Sequence, residues 1–419
     1  MSIFLYNTSL LLYRMGIRLA SPFHPKAKQW TVGRKGLFHQ LQTDFKDNDK
    51  PVAWFHCASL GEYEQAQPLI EEYCAAFPDH RILLTFFSPS GYHAFKDNTF
   101  VDWVYYLPLD SANNATRFIN LVKPSIVFFI KYEFWYHYLQ QLNLRRIPTY
   151  LISGIFRENQ LFFKPHGAFY RRLLSFFSHI FVQNESSQLL LRNIHVHQST
   201  CNGDTRIDQV IKNKEQQRSN QTNTFSVLSD IPRKILVCGS TWPVDEKLIA
   251  NWHQQHPEWF IIIAPHEIHS SHIDDIKSQF RYANPVLFSS YPKTITKPCN
   301  MLIIDSIGQL KYLYSFADAA YIGGGFGKGI HNILEAAIYQ IPVFFGPNHR
   351  RFNEANELME RKIGFCIHNT QDLKEGILSC QCTDALDHIQ KQSAQYFEHS
   401  KGASQRIIQF IRNAQTDQA

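Results

Sequence analysis

The chain has 419 residues, 44% apolar and 14% aromatic, with 42 Lys and Arg against 36 Asp and Glu for a formal charge of +6. That composition excludes a disordered, collagenous or miniature protein, and the length corresponds to about two to three typical domains. The charge is uneven: residues 1–43 hold Arg14, Arg18, Lys26, Lys28, Arg34 and Lys35 and no acid before Asp44, so the rest is balanced at 36 of each sign, which excludes a diffusely basic nucleic-acid-binding domain.

In the N-terminal segment Ile3, Tyr6, Leu10, Tyr13 and Ile17 repeat with 3,4,3,4 spacing and predict a helix with one apolar stripe, Asn7, Arg14 and Arg18 lying on another face. Arg14 and Arg18 interrupt the run before the ~20 residues that a membrane-spanning helix needs. A secretory signal fits poorly, since no basic start precedes the apolar part and no small-residue cleavage site follows it. The reading is a helix in a membrane interface, with a basic collar against anionic headgroups. An ordinary first helix packed on the body is the alternative.

From residue 51 short apolar runs alternate with helix-patterned stretches. Residues 52–57, 82–86, 104–107, 126–130, 149–152 and 180–182 read as buried parallel strands, with helices expected over 62–77, 111–122, 134–143 and 185–193. The polar stretch 211–230 reads as a linker. The alternation restarts with strands at 235–238, 260–264, 301–305, 319–322 and 343–345, and helices near 244–254, 308–316, 331–340 and 352–361. A helical tail is expected from about 384. The eight cysteines form no C-x-x-C pair and read as free thiols, and His266-Glu267-Ile268-His269 lacks the spacing of a metalloprotease helix because Ser270 stands where the second His is needed.

Two such halves predict an α/β protein of two doubly wound, Rossmann-like domains facing a cleft: a membrane-interface segment 1–43, domains 44–210 and 231–383 around linker 211–230, and the tail 384–419. In such sheets ligands bind beyond the carboxyl ends of the strands, so the strand-to-helix junctions are the candidate sites. Ser59-Leu60-Gly61-Glu62 puts Glu62 at a helix start, where it is either a general base or a capping acid. Glu133, in Lys131-Tyr132-Glu133-Phe134-Trp135, reads as opening the next junction's helix, again with capping as the alternative. Gly203-Asp204-Thr205-Arg206 offers a guanidinium whose fork suits phosphate. Gly239-Ser240-Thr241 has backbone and hydroxyl donors for an anion. The strongest local signal is the run Gly323, Gly324, Gly325, Gly327 and Gly329, ahead of a helix expected from His331, with Glu335 one turn in. Lys328 is followed by Gly329, so the run is no P-loop.

The Gly-rich turn, the His331-Asn332-Ile333-Leu334-Glu335 segment and Phe344-Phe345-Gly346-Pro347 resemble the nucleotide-sugar half of a GT-B glycosyltransferase. With Ser59–Glu62, Glu133-Phe134-Trp135 and Gly203–Arg206, the chain resembles one family, the 3-deoxy-D-manno-octulosonic acid (Kdo) transferases, from the first helix to about residue 360. The resemblance implies a GT-B fold and transfer of Kdo from CMP-Kdo to the lipid A precursor in lipopolysaccharide biosynthesis, by an inverting displacement without metal or cofactor. It implies Glu62 as general base, Glu133 and Arg206 as transition-state stabilisers, and CMP binding by Pro265, His266, Ile307, Gly308, Gln309, Asn332, Ile333, Leu334 and Glu335. It also implies work at the cytoplasmic face of a bacterial inner membrane. The sequence departs from the family's pattern at Lys131 for Glu, at Pro265-His266-Glu267 for Pro-Arg-His, so that an Arg near CMP is missing, at Gln309 for Glu and at Ala336 for Pro, and it has Arg206 where Lys is common. Another GT-B enzyme, such as a UDP-sugar transferase or epimerase, and a membrane-tethered sugar-nucleotide-binding protein are the competing readings.

Overall fold

The computed structural model describes residues 2–96, 100–219, 225, 228–229, 231–290 and 299–416. The chain divides into two compact units, one formed by Met1–Gln209 with Ser400–Ala419, the other by Val210–His399.

The first unit is built on seven parallel strands: β1 (Val52–Cys57), β2 (Arg81–Phe86), β3 (Trp103–Tyr106), β4 (Pro124–Ile130), β5 (Thr149–Gly154), β6 (His179–Val182) and β7 (Ser199–Cys201), in the order β3-β2-β1-β4-β5-β6-β7. β1 is buried along its whole length because both faces are covered. Trp54 enters one apolar cluster with Phe118 and Tyr138, and Phe55 enters the other with Tyr73 and Phe128. The strand order reverses between β1 and β4, which opens a crevice at their carboxyl ends.

The second unit repeats the design with β8 (Ile235–Thr241), β9 (Phe260–Pro265), β10 (Val286–Leu287), β11 (Met301–Ile303), β12 (Ala319–Ile322), β13 (Val343–Phe345) and β14 (Gly364–Cys366). Their order is β10-β11-β9-β8-β12-β13-β14, all parallel, with the reversal between β8 and β12. β7, β10 and β14 escape the sequence reading because two or three residues are too few to set a period.

Three expected boundaries are corrected. The stretch assigned to a linker is helical as far as Ser219, in helix Thr205–Ser219, and residues 220–224, 226–227 and 230 lie outside the described residues. Its polarity reflects bonding: Lys214 Nζ donates to the Ile338 carbonyl (2.6 Å) and Gln217 Nε2 to that of Tyr312 (3.0 Å). The tail is not one body. Helix Thr383–Ser400 docks in the second unit, Ser393 Oγ donating to the Ala337 carbonyl (2.5 Å), whereas helix Ala403–Thr416 belongs to the first. There Ile407, Ile408 and Ile411 pack with Tyr63, Ala66 and Ile70 of helix Leu60–Ala76.

Third, residues 1–43 are not separate from the domain beginning at 44. Tyr6 of helix Ile3–Ala20 is buried, and its hydroxyl donates to Asp110 Oδ2 (2.6 Å), which also accepts from His137 N (3.0 Å). Leu10 packs on the same core, and Tyr13 meets Trp30 and Phe87. The middle of the stripe that suggested a membrane, Tyr6 and Leu10, thus faces protein, while Ile3 at its start stays exposed. The opposite side of the helix carries a second apolar set, with Phe4 (76%), Leu12 (62%) and Leu19 (73%) exposed. Among the described residues, no helix is long and apolar enough to cross a membrane.

Candidate active site

In the first unit, the β1 and β4 junctions meet at the strand-order reversal. Glu62 stands in the first turn of helix Leu60–Ala76 and accepts from Ser59 Oγ. Glu133 does not open a helix as expected. Helix Tyr136–Leu144 begins three residues later, and the intervening segment turns Glu133 inward, leaving it 9% exposed. There its Oε2 accepts from Trp135 Nε1 (2.6 Å) and lies 3.0 Å from Nε2 of the fully buried His56. The other ring nitrogen of His56, Nδ1, lies 2.9 Å from the Thr85 hydroxyl and 3.2 Å from the Thr85 carbonyl. Trp54 Nε1 in turn donates to Thr85 Oγ1 (2.7 Å). Every member of this chain is satisfied, so Glu133 is held at one orientation.

Cys57, the last residue of β1, feels both carboxylates. Burial pushes its thiol well above the ordinary value, and the charges of Glu62 and Glu133 push it further. Both acids therefore bear on one point at the end of one strand.

A cationic group adjoins them. Arg206 donates through N (2.9 Å), Nε (2.9 Å) and Nη2 (2.5 Å) to Asp204. Burial raises the Asp204 carboxyl, but the Arg206 charge and these bonds outweigh it and hold it below its ordinary value, with help from Lys131. With the Gln65 amide turned to match its neighbours, its oxygen accepts from Arg206 Nε (3.2 Å) and Lys131 Nζ (3.1 Å). Gln65 lies one turn beyond Glu62 on the same helix, and its carbonyl accepts from Thr205 Oγ1 (2.7 Å). The last helix completes the frame: Gly402 N (2.6 Å) and Ser404 N (2.8 Å) donate to Asp208, and Arg406 Nη2 to the Asn202 carbonyl (2.7 Å). One buttress therefore braces both the helix of Glu62 and the segment of Arg206. Lys131 (φ 63°) and Ser153 (φ 53°) adopt left-handed backbone at the ends of β4 and β5, strain of the kind that collects at functional sites.

In the second unit, the β8 and β12 junctions carry Gly239-Ser240-Thr241 and the Gly-rich run. The glycines serve protein packing. A Cβ on Gly323 would lie 2.3 Å from the Ser240 carbonyl, and one on Gly325 would lie 2.5 Å from Gly346 N. The expected helix from His331 is corrected to a single turn, Leu334–Ala337, because Asn332 turns its side chain back to Leu334 N (3.3 Å) and Glu335 (3.1 Å). So short a turn has little dipole to offer an anion. Asp245 braces the junction instead, accepting from Gly324 N (2.9 Å), Trp242 N (2.9 Å) and Tyr321 Oη (2.7 Å).

Three rings form a surface there. His266, exposed at the end of β9, stacks on Trp242 (4.7 Å between centroids) and on His331 (4.5 Å). Burial, with the neighbouring His266, lowers His331 to about 4. Pro265 ends β9, buried. Ile333 and Leu334 are buried core, Glu335 is close enough to raise the buried Tyr314 hydroxyl further after burial itself, Gln309 precedes the turn of helix Leu310–Leu313, and Gly308 has a left-handed φ of 87°. Ile307 is 84% exposed. Among the described residues no three His, Cys, Asp or Glu side chains are grouped as metal ligands would be.

The sequence reading missed His56, Thr85, Gln65 and the ring stack. His56 and Thr85 had a signal, since a polar residue inside a fully buried strand needs a partner. Gln65 had none.

Paired parallel sheets of this order define a GT-B-type α/β protein. The structure of UDP-GlcNAc 2-epimerase from Neisseria meningitidis bound to UDP-GlcNAc has this fold, with a TM-score of 0.63 at 16% identity over 87% of this chain and 100% of that one. The model of the 3-deoxy-D-manno-octulosonic-acid transferase (kdotransferase) family matches residues 33–209. The Haemophilus influenzae 3-deoxy-D-manno-octulosonic acid transferase is 25% identical over 97% of each chain. A bifunctional glycosyltransferase/methyltransferase of Fusobacterium nucleatum subsp. nucleatum is 22% identical over 89% of this chain, which spans 58% of that protein's length. Residues 33–209 thus match the Kdo transferase family model, and curated Kdo transferases resemble most of the chain at 23–26% identity.

Proposed function

We propose that the protein is a Kdo transferase that moves Kdo from CMP-Kdo to the lipid A precursor, lipid IVA, in lipopolysaccharide biosynthesis. Glu62 takes the proton of the acceptor hydroxyl as its oxygen attacks the anomeric carbon of Kdo. The bond to the CMP phosphate breaks on the opposite side, inverting the anomeric centre. Arg206, with Lys131 beside it, offsets negative charge on the departing phosphate, and Glu133 stays fixed on His56 as an orienting carboxylate. Neither metal nor cofactor enters the reaction. The second unit takes the donor, with the His266 surface, Gln309 and Asn332–Glu335 as its nucleotide contacts. The protein works at the cytoplasmic face of the inner membrane, held by residues 1–43.

One observation carries this reading: Glu62 and Arg206 come from distant parts of the sequence yet are fastened to one helix, through Gln65. A base and a phosphate-directed cation in one rigid frame suit group transfer better than binding alone. The test is mass spectrometry of the product from purified protein, lipid IVA and a panel of CMP-Kdo and UDP-sugars. A mass gain of one or more Kdo units from CMP-Kdo alone is expected, and turnover of a UDP-sugar instead overturns the assignment.

A further inference from the structure

A cavity of about 270 Å³ opens where helix Ile3–Ala20 meets the residues that follow it, between Arg14, Arg18, Arg34 and Lys35 above a floor that includes Trp30 and Phe38. No Asp or Glu lines it. Arg14, Arg18 and Lys35 are exposed at its rim, and their side chains have no hydrogen-bond or ion-pair partner among the described residues.

Arg34 differs. It lies over the rings of Trp30 (4.0 Å) and Tyr106 (4.6 Å) and donates to the carbonyls of Leu107 (3.0 Å), Trp30 (3.2 Å) and Phe87 (2.7 Å). All these partners are neutral, so a largely buried cation stands without a counter-ion among the described residues. Burial lowers it to about 10. A buried charge of this kind is costly unless an opposite charge comes near.

The helix supplies the rest of the geometry. At 100° per residue, Arg14 and Arg18 lie on one edge, between the inner stripe of Tyr6, Leu10 and Ile17 and the outer apolar face of Phe4, Leu12 and Leu19. An occupant of the cavity therefore has its anionic end among cations while the adjoining helix face meets hydrocarbon. A dissolved anion uses only the first of these, and a bilayer lipid uses both. Guanidinium forks match phosphate oxygens in pairs.

We infer that this cavity is a site for the phosphate headgroup of a membrane lipid, entered from the bilayer surface on which the outer face of the first helix lies. It sharpens the membrane placement in the proposed function from a diffuse collar to a built site, and it does not require the transfer chemistry.

The full chain is tested by co-sedimentation with vesicles of phosphatidylcholine alone, with phosphatidylglycerol added, and with phosphatidic acid added. Binding is expected to rise with anionic lipid and to be strongest with phosphatidic acid, whose terminal phosphate is unhindered. Arg14→Gln/Arg18→Gln/Lys35→Gln should lower partitioning onto anionic vesicles by on the order of 10²-fold, about fivefold per cation, and abolish the preference for phosphatidic acid. Lys26→Gln/Lys28→Gln removes collar charge outside the cavity and should keep that preference. Unchanged melting temperatures show that both variants fold. Arg34 is left intact because its bonds hold the segment. Equal losses per charge in the two variants, or no preference among anionic lipids, overturn the site in favour of a diffuse collar. Displacement from vesicles by inorganic phosphate overturns the lipid source. Failure of Kdo transfer with vesicle selectivity intact would sink the transferase reading and leave this site standing.

Discussion

The two units present different materials at the same topological place. At the β1/β4 reversal the first unit gathers charged side chains, Glu62, Glu133, Arg206 and Lys131, each tied by a partner that is itself tied. At the β8/β12 reversal the second unit brings backbone close to backbone through glycines and exposes stacked rings. Fixed charges suit a reaction in which charge moves, because they need no reorganisation as it proceeds. Close-packed backbone and flat rings suit recognition of a part of a ligand that stays unchanged, which in the proposed transfer is the nucleoside of the donor. The same fold thus carries two kinds of switch point, and the difference lies in what fills each of them.

The largest effect expected from breaking the first is that of Glu62→Gln, which keeps shape and removes the proposed base. Transfer should fall by about 10²- to 10⁴-fold while CMP binding, measured by calorimetry, is unchanged. Wild-type turnover in this variant would sink the mechanism.

Arg206→Ala is next, with transfer lower by about 10²-fold and a smaller loss in Arg206→Lys. It also leaves Asp204 buried without its main partner. In the wild type the depressed Asp204 adds stability that is present above its unfolded pKa and is lost as pH falls through the folded one. In the Ala variant burial is no longer outweighed and holds the Asp204 carboxyl up, so the variant is the less stable above this range and should lose less stability than the wild type on acidification, read as its urea midpoint against pH. Identical profiles would show that the pair does not hold the frame.

The second unit is probed by Gly325→Ala, whose new methyl meets the Gly346 backbone, against Gly327→Ala, whose methyl meets only the Gly324 carbonyl at 3.7 Å. The first should cost about 1–3 kcal/mol in urea denaturation and the second much less. Equal costs would deny the close approach its structural role.

Tyr6→Phe removes one donor from buried Asp110 and leaves the backbone donors, for a cost of about 1 kcal/mol. No change in the melting temperature would return the first helix to a merely attached element.

The smallest effect concerns His331. Its pKa lies at about 4 in the fold, below the unfolded value, so the unfolded chain binds more protons between roughly pH 6.5 and 4. Its contribution is present above that window and is lost as pH falls through it. His331→Gln should flatten the decline in stability over this range, and an unaltered slope would place the acid sensitivity elsewhere.

Much of this molecule was legible in its residues. The long buried strands announced themselves as continuous apolar runs, since a parallel sheet covered on both faces admits little else. The junction rule then pointed to Glu62, Glu133 and Arg206. Tertiary structure decided what those residues touch. Only the adjacency of β1, β2 and β4 brings Thr85 and Glu133 to either side of His56, and only helix packing sets Gln65 against Arg206. The first helix shows the division best. Spacing revealed an apolar stripe, but the helix is apolar on two sides, and periodicity cannot say which side meets protein. That choice rested on Asp110, a buried carboxylate 104 residues away from the tyrosine that satisfies it. A sequence records which groups must be buried or paired; which partner each one finds follows from contacts between segments that the sequence does not place side by side.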